Sequence, residues 1–575
     1  MHSFSDLPIE VIANIYRYLD IQDILSAEQT CHQWLQVSQL KEFTDLIVLK
    51  IIQLDETVRN LFMETCRKFS SLHLKFNAYT NCYSPKDAEF ARITNDQLLN
   101  FFSLSNITYN IEYLTLENIK LLSFSTFCEI LKSMPNLKEL KCKQVKFIYS
   151  LNEFFFDPNI WEYSTRMLNT MSLKLQSLCI ENCEPLQLFQ CIKNLKQLHV
   201  LYNESIQDEA SFETIVKNNE SSLKSLKLES WTLHVSINWG NFTNLSELKL
   251  KEFYLSTDYG TMSYYDSFLK FLKSQKFLTD LCVININKLN NKDFNEILEM
   301  LPNIQKLNFS YNKNLSSVIC KTISNLMDIN SLTLNGLKPA KKYRIFNDFV
   351  CKKKCNLLEL RLLDVKLADE NYISIAENLS NLKVLHGGNG NLTDNSLYCI
   401  LKNCKNIVDL VIHNGKVTDN ALIGPELQSK KLLYLSLQCE KISDETLTNG
   451  FKFENLTVLS LLITSNMSAE GFKQLTDNCL NIKVLTLRKI CSSKISLNFL
   501  QIICIAVINF SKLKKLNVNR KCVCMDWDYE IYLFKNSKKN DFPTKFRETC
   551  TCDFRTYCVE LLDCWKNPSF PFYLL

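Results

Sequence analysis

Apolar residues return along the chain in a short fixed phrase, apolar-x-x-apolar-x-apolar. It stands at Leu137, Leu140 and Cys142, at Leu223, Leu226 and Leu228, and at Leu278, Leu281 and Val283. From residue 357 the phrase begins at 357, 382, 407, 432, 456 and 482, so the steps are 25, 25, 25, 24 and 26 residues. A strand sends alternate side chains to opposite faces, so the apolar positions enter a core and the intervening residues face outward. The spacing then turns helical. Leu397, Ile400, Leu401 and Cys404 follow Thr393-Asp394, which offers a helix cap; Phe294, Ile297, Leu298 and Leu301 follow Asp293. Each repeat therefore predicts a strand, a turn and an outer helix. No single repeat can bury its leucines, so neighbours must stack into a solenoid. The repeat at Leu382 departs from the phrase, with Gly387 in its third apolar place.

This pattern, over roughly residues 65–520, resembles the leucine-rich repeat family in its cysteine-containing variety. The resemblance implies an α/β fold class, with parallel strands on a concave face and helices on the convex face. The spacing loosens before Leu223. Residues 143–174 hold an oversized gap with Phe154, Phe155, Phe156 and Trp161, which reads either as a longer helix packed on the solenoid or as an exposed aromatic insert.

The first forty residues follow another rule. Pro8, Ile12, Ile15 and Leu19 form one helical stripe, widened by Val11 and Tyr18. Asp20 or Asp23 caps a second helix with Ile24, Leu25 and Ala27, and Cys31 and Trp34 begin a third. So short a segment cannot bury that much apolar surface by itself and must dock on something. Leu7-Pro8, Glu10, Ile15, Leu19, Asp23-Ile24 and Cys31-x-x-Trp34 resemble the F-box pattern. Thr30 replaces the usual aliphatic residue, and no second Trp follows in 41–45. The resemblance implies binding of a Skp-type adaptor, and through it a cullin, with Leu7, Pro8, Ile12, Ile15, Leu19, Ile24 and Trp34 entering the adaptor. The expected division is an F-box over 1–45, a leucine-rich-repeat solenoid over 46–520 and a Cys-rich C-terminal cap over 521–575.

Composition narrows the function classes. In 575 residues, 66 basic and 61 acidic side chains leave a net charge of only +5, too little for nucleic-acid or membrane binding by bulk charge. Only 10 glycines argue against nucleotide enzymes, and no Walker loop, dinucleotide fingerprint or Gly-x-Ser-x-Gly elbow occurs. His386-Gly387-Gly388 lies in phase with a repeat strand, and the seven histidines form no metal pair. No catalytic residue, metal or cofactor is expected. Cys522, Cys524, Cys550, Cys552, Cys558 and Cys564 read as part of a terminal cap, with zinc as the alternative. The basic run from Lys338 to Lys354 reads as a solvated helix, with a nuclear address as the alternative. No secretory signal is read at the N-terminus, and the longest apolar stretch, 499–510, is short of the roughly 20 residues that span a bilayer. A cytoplasmic or nuclear setting is expected.

Together these features suggest a non-catalytic substrate-recognition subunit of a cullin-based ubiquitin ligase. The alternative is a leucine-rich-repeat scaffold whose N-terminal helices only cap the solenoid. The target protein is expected on the late strands, at Arg361, Asp409, His413, Tyr434, Gln438 and Arg488. Lys141, Lys143, Lys227, Lys249 and Lys251 suggest that the earlier strands favour an acidic segment.

Overall fold

The computed structural model describes most of residues 7–532. Outside the description lie residues 1–6, 20–23, 57–59, 61–68, 77–93, 104–107, 149–165, 167–173, 202–208, 234–241, 256–262, 338–348, 352–356, 425–429, 491–496, 522–525 and 533–575, with shorter gaps between them. The aromatic insert, the basic run and the six C-terminal thiols all fall there. The chain divides into two compact units, Met1–Lys288 and Leu289–Leu575.

The first unit opens with the helices Ile9–Tyr16, His32–Ser38 and Lys41–Thr44. A parallel sheet follows, its strands Val48–Ile51, Ser71–Lys75, Tyr113–Glu117, Glu139–Lys143, Ser177–Glu181, Gln197–Leu201, Ser225–Glu229, Glu247–Lys251 and Asp280–Ile284 pairing in chain order. Register places Leu72, Leu114, Leu140, Leu178, Leu198, Leu226, Leu248 and Leu281 side by side, all of them buried. The helices Asn95–Phe102, Phe124–Lys132, Glu209–Asn219 and Ser263–Ser274 lie between strands in sequence.

A chain so poor in glycine must leave its strands some other way. The residue that closes each of several strands has positive φ: Asn118, Gln144, Asn182, Ser230, Glu252 and Asn285, between 50° and 60°. Each such residue costs about 1 kcal/mol or more in backbone strain. A recurring hydrogen bond offsets this, since Asn118 N–H donates to Lys143 O at 2.9 Å and Gln144 N–H to Glu181 O at 2.7 Å on the next strand.

In the second unit the parallel strands are Lys306–Asn308, Ser331–Thr333, Glu359–Arg361, Val384–Gly388, Asp409–His413, Tyr434–Gln438, Val458–Ile463, Val484–Ile490 and Lys515–Lys521. Asp526–Tyr532 then adds antiparallel to the last of them. The helices Asn291–Met300 and Asp394–Asn403 bury the expected apolar faces, Phe294, Ile297 and Leu298 in one and Leu397, Ile400 and Leu401 in the other. Two repeats depart from the expected outer helix. Among the described residues one makes a 3-10 turn, Asp419–Ala421, and the other a π turn, Thr446–Gly450. The odd Gly387 also has a reason. A Cβ there would lie 2.9 Å from the ring of Tyr372, so this buried tyrosine fills the space of the missing side chain.

The expected cap at Thr393-Asp394 takes a different form. Thr393 does occupy the N-cap position, but its backbone N–H and hydroxyl both donate to Asp369 of the preceding repeat, at 2.8 and 2.9 Å. The device recurs. Thr418 donates twice to Asp394, Ser443 twice to Asp419 and Ser468 twice to Asp444, all at 2.6–2.9 Å. Burial pushes the Asp419 carboxyl up, but hydrogen bonds from Ser443 and Thr446 hold it below its ordinary value. At the other end of the helices, the buried thiols of Cys404 and Cys479 reach carbonyls of the preceding repeat, Leu379 O at 3.6 Å and Phe451 O at 3.8 Å. Burial raises both thiols to about 12, so they remain protonated and inert. Among the described residues no helix is long and apolar enough to cross a membrane.

Candidate functional site

Two surfaces concern partners, one in each unit. At the N-terminus, Pro8 caps the helix Ile9–Tyr16. Ile12, Ala13, Tyr16, Ile24, Val37 and Phe43 form a closed core, with Leu7, Leu19, Ala27 and Trp34 packed against it. Tyr16 joins the helices: its ring meets Trp34 and Phe43 edge-on at 5.4 and 5.3 Å, and its hydroxyl donates to Trp34 O at 3.0 Å. Gln33 donates to Leu7 O at 2.7 Å, and Arg17 pairs with Glu42 at 3.1 Å.

This core changes the assignment of individual residues. Ile12 and Ile24, expected to enter an adaptor, are 0% and 1% exposed inside the helical segment itself. They hold it together and have no surface to offer. Leu7, Ile15, Leu19 and Trp34 are half-buried, and Pro8 is exposed. At 100° per residue, Ile12, Ala13 and Tyr16 face the core, whereas Val11, Ile15 and Tyr18 share the opposite edge of the apolar stripe. Val11 is 41% exposed and Tyr18 91%. The stripe read from the sequence is two adjoining surfaces, and hydrophobicity alone cannot separate them.

The second surface is the outward face of the late strands. Register aligns Asp409 with Tyr434, and His413 with Gln438. Gln438 donates its amide to His413 Nε2 at 2.9 Å, which requires that nitrogen to be unprotonated. Burial first, then the charges of Arg488 and His386, push His413 down to about 4. His386 lies 2.9 Å from Asp409, and Arg361 pairs with Glu359 at 2.6 Å. Beneath them Val411, Ser436 and Ser460 form a buried row. Of the expected target residues, Asp409, His413, Tyr434, Gln438 and Arg488 thus share one patch, and Arg361 stands at its edge, already engaged by Glu359. Sequence reading placed Glu359 beside Arg361 on the outward face but left out His386 and Ser460. Their signal was available, since both occupy outward positions of the repeat phrase.

The earlier strands correct the expectation of a free basic face. Lys143 pairs with Glu181 at 3.0 Å, Lys227 with Glu247 at 3.0 Å and Lys249 with Glu229 at 2.7 Å. Lys141 pairs with Glu139, and Lys251 lies 3.8 Å from Glu229. Burial pushes Glu229 up, but the Lys249 ammonium prevails and holds it below its ordinary value. His199 Nε2 is 3.6 Å from Glu229, too long for a hydrogen bond, and burial lowers its pKa despite that neighbour. An acidic segment would have to displace glutamates already in place. Among the described residues no group of three or more His, Cys, Asp or Glu side chains could hold a metal ion.

Comparison with known proteins places the N-terminal helices. The F-box-like family model matches residues 4–40, so this segment is an F-box-like domain. No curated protein matches the chain. Among solved structures, the Rad7–Elc1 complex of yeast is similar at 13% identity, spanning 87% of this chain and 97% of that one, with a TM-score of 0.33. The TLR13–ssRNA13 complex is similar at 15% identity over 76% of this chain and 58% of that one, with a TM-score of 0.38. At those TM-scores neither likeness bears on function.

Proposed function

We propose that this chain is the non-catalytic substrate-recognition subunit of a cullin-based ubiquitin ligase. The F-box-like domain binds a Skp-type adaptor, and the outward face of the late strands binds the target protein. The observation that carries this reading is the F-box-like match over helices whose own core is complete and whose apolar edge, Val11, Ile15 and Tyr18 with Pro8, is turned outward. A closed core with a second apolar edge is a domain built to be covered. Leu7, Pro8, Ile15, Leu19 and Trp34 remain candidates for adaptor contact; Ile12 and Ile24 act only by shaping the domain. Recruitment needs no catalytic group here. Holding a target beside a charged conjugating enzyme raises its effective concentration, which is enough to accelerate transfer.

The experiment is co-purification with a Skp-type adaptor. Trp34 packs on Tyr16, so replacing it would damage the domain as well as the contact. Val11→Asp with Tyr18→Asp leaves the core intact. Each apolar anchor lost from an interface costs about 2 kcal/mol, so the pair should weaken binding by two to three orders of magnitude, roughly. Circular dichroism should not change. A wild-type chain that binds no adaptor at micromolar concentration would refute the receptor reading and leave the scaffold reading in its place.

A further inference from the structure

Charges on the outward face of the second unit come with partners: Arg361 with Glu359, His386 with Asp409. Arg488 is different. No carboxylate pairs with it among the described residues, and its Nε is buried without a hydrogen-bond partner. The side chain starts from the strand Val484–Ile490, where Arg488 is in register with Leu462. Its charge acts on His413 and Tyr434, which stand on strands beyond Leu462. The strands on either side of Arg488 carry further unsatisfied groups, Ser460 on one and Asn517 on the other. Ser460 is 3% exposed with an unpartnered Oγ, and Asn517 gives its amide to Thr486 while its Oδ1 has no partner. Buried polar atoms are as a rule hydrogen-bonded, so a face that keeps several of them without protein partners offers donors and acceptors to whatever covers it.

The chemistry of that completion is constrained. Arg488 presents a planar fork of donors that matches a carboxylate bidentately. His413 adds no positive charge, because Gln438 donates to it, and the carboxylate of Asp409 stands in the same patch. One cation beside a neutral ring and an anion suits a singly charged group. A phosphate dianion asks for more positive charge than the patch holds. We propose that Arg488 anchors an Asp or Glu side chain of the protein segment bound by the late strands, with Ser460 and Asn517 hydrogen-bonding the atoms beside that carboxylate. This rests on the target-binding reading above and specifies the target's chemistry.

The test uses a synthetic peptide array scanned by position with Asp, Glu, Asn, Gln, phosphoserine and Ala, probed with the full-length chain. Wild-type protein should retain peptides that carry Asp or Glu at one fixed position, with Asn or Gln there retained at least tenfold less. Arg488→Gln should erase that acid preference, and Arg488→Lys should restore part of it, with unchanged circular dichroism in both. Preference for phosphoserine over Asp and Glu, or an acid preference that survives Arg488→Gln, would overturn the proposal. Retention that ignores acids but is lost in Tyr434→Ala would overturn it while leaving the late strands as a target surface. Retention of no peptide by the wild type would count against both.

Discussion

Gly471 offers a sharp test of how neighbouring repeats are joined. It lies in the helix Ala469–Asn478, where a Cβ would sit 2.0 Å from Asp444 Oδ1 of the preceding repeat. Asp444 accepts from the Ser468 N–H at 2.7 Å and the Ser468 hydroxyl at 2.6 Å, and that hydroxyl accepts from Gly471 N–H at 3.1 Å. An added methyl must evict the carboxylate. Hydrogen bonds to a charged group are worth about 1.5–3 kcal/mol each, so losing the pair costs about 3–6 kcal/mol. Alanine returns about 1 kcal/mol of helix propensity over glycine. Gly471→Ala should therefore destabilise the wild type by about 2–5 kcal/mol. The Asp444 Cβ would also lie 2.9 Å away, so an Asp444→Gly background is the one that removes the obstruction, and there the same change should stabilise by about 1 kcal/mol. Urea unfolding of the four proteins measures the cycle, and hydrogen exchange should localise the damage near residues 444–479. If Gly471→Ala is neutral in the wild type, or shifts both backgrounds equally, the carboxylate does not join these repeats.

Three further outcomes are expected. Leu410→Asp buries an unpaired carboxylate at a fully buried position and costs several kcal/mol, with exchange rising in 382–437 rather than evenly along the chain. His413 binds its proton less readily in the fold, near 4, than unfolded, near the ordinary 6.5, so its contribution is present above pH 6.5 and is lost as pH falls toward 4. Thermal melts of wild type and His413→Gln should diverge across that window, and parallel curves would contradict the burial of a neutral ring. Glu229→Gln releases Lys249 and Lys251, so the variant should elute from heparin at higher salt than the wild type; identical elution would mean the lysines were already free.

The repeat was legible because a strand's alternation and a helix's 3.6-residue period both survive in one dimension. Leu397, Ile400 and Leu401 fall on one helix face by their spacing alone, and all three are buried. Partnerships across repeats were not legible. Lys249 and Glu229 are 20 residues apart, and nothing local distinguishes a lysine with a partner from one without. By its sequence Thr393 reads as the cap of its own helix, which it is by position, but its hydroxyl donates to Asp369, 24 residues earlier. At the F-box-like domain the stripe was visible and its division was not. Ile12 and Ile15 look equivalent in sequence, and only Tyr16, meeting Trp34 and Phe43, decides which edge turns inward.

The aspartate device has a direction, and with it a consequence for how the chain is made. Asp369, Asp394, Asp419 and Asp444 each come earlier in the chain than the Thr393, Thr418, Ser443 or Ser468 that they receive. Synthesis proceeds from the N-terminus, so each helix start leaves the ribosome to find its acceptor already laid down in the repeat before it. A nascent chain halted after any of these repeats would leave one carboxylate facing water, which is cheap. A fragment beginning within the series would leave a helix start with its donors unanswered. Stalled or C-terminally shortened chains should therefore remain folded to their last complete repeat, whereas removal of the preceding repeats should unravel the new first one.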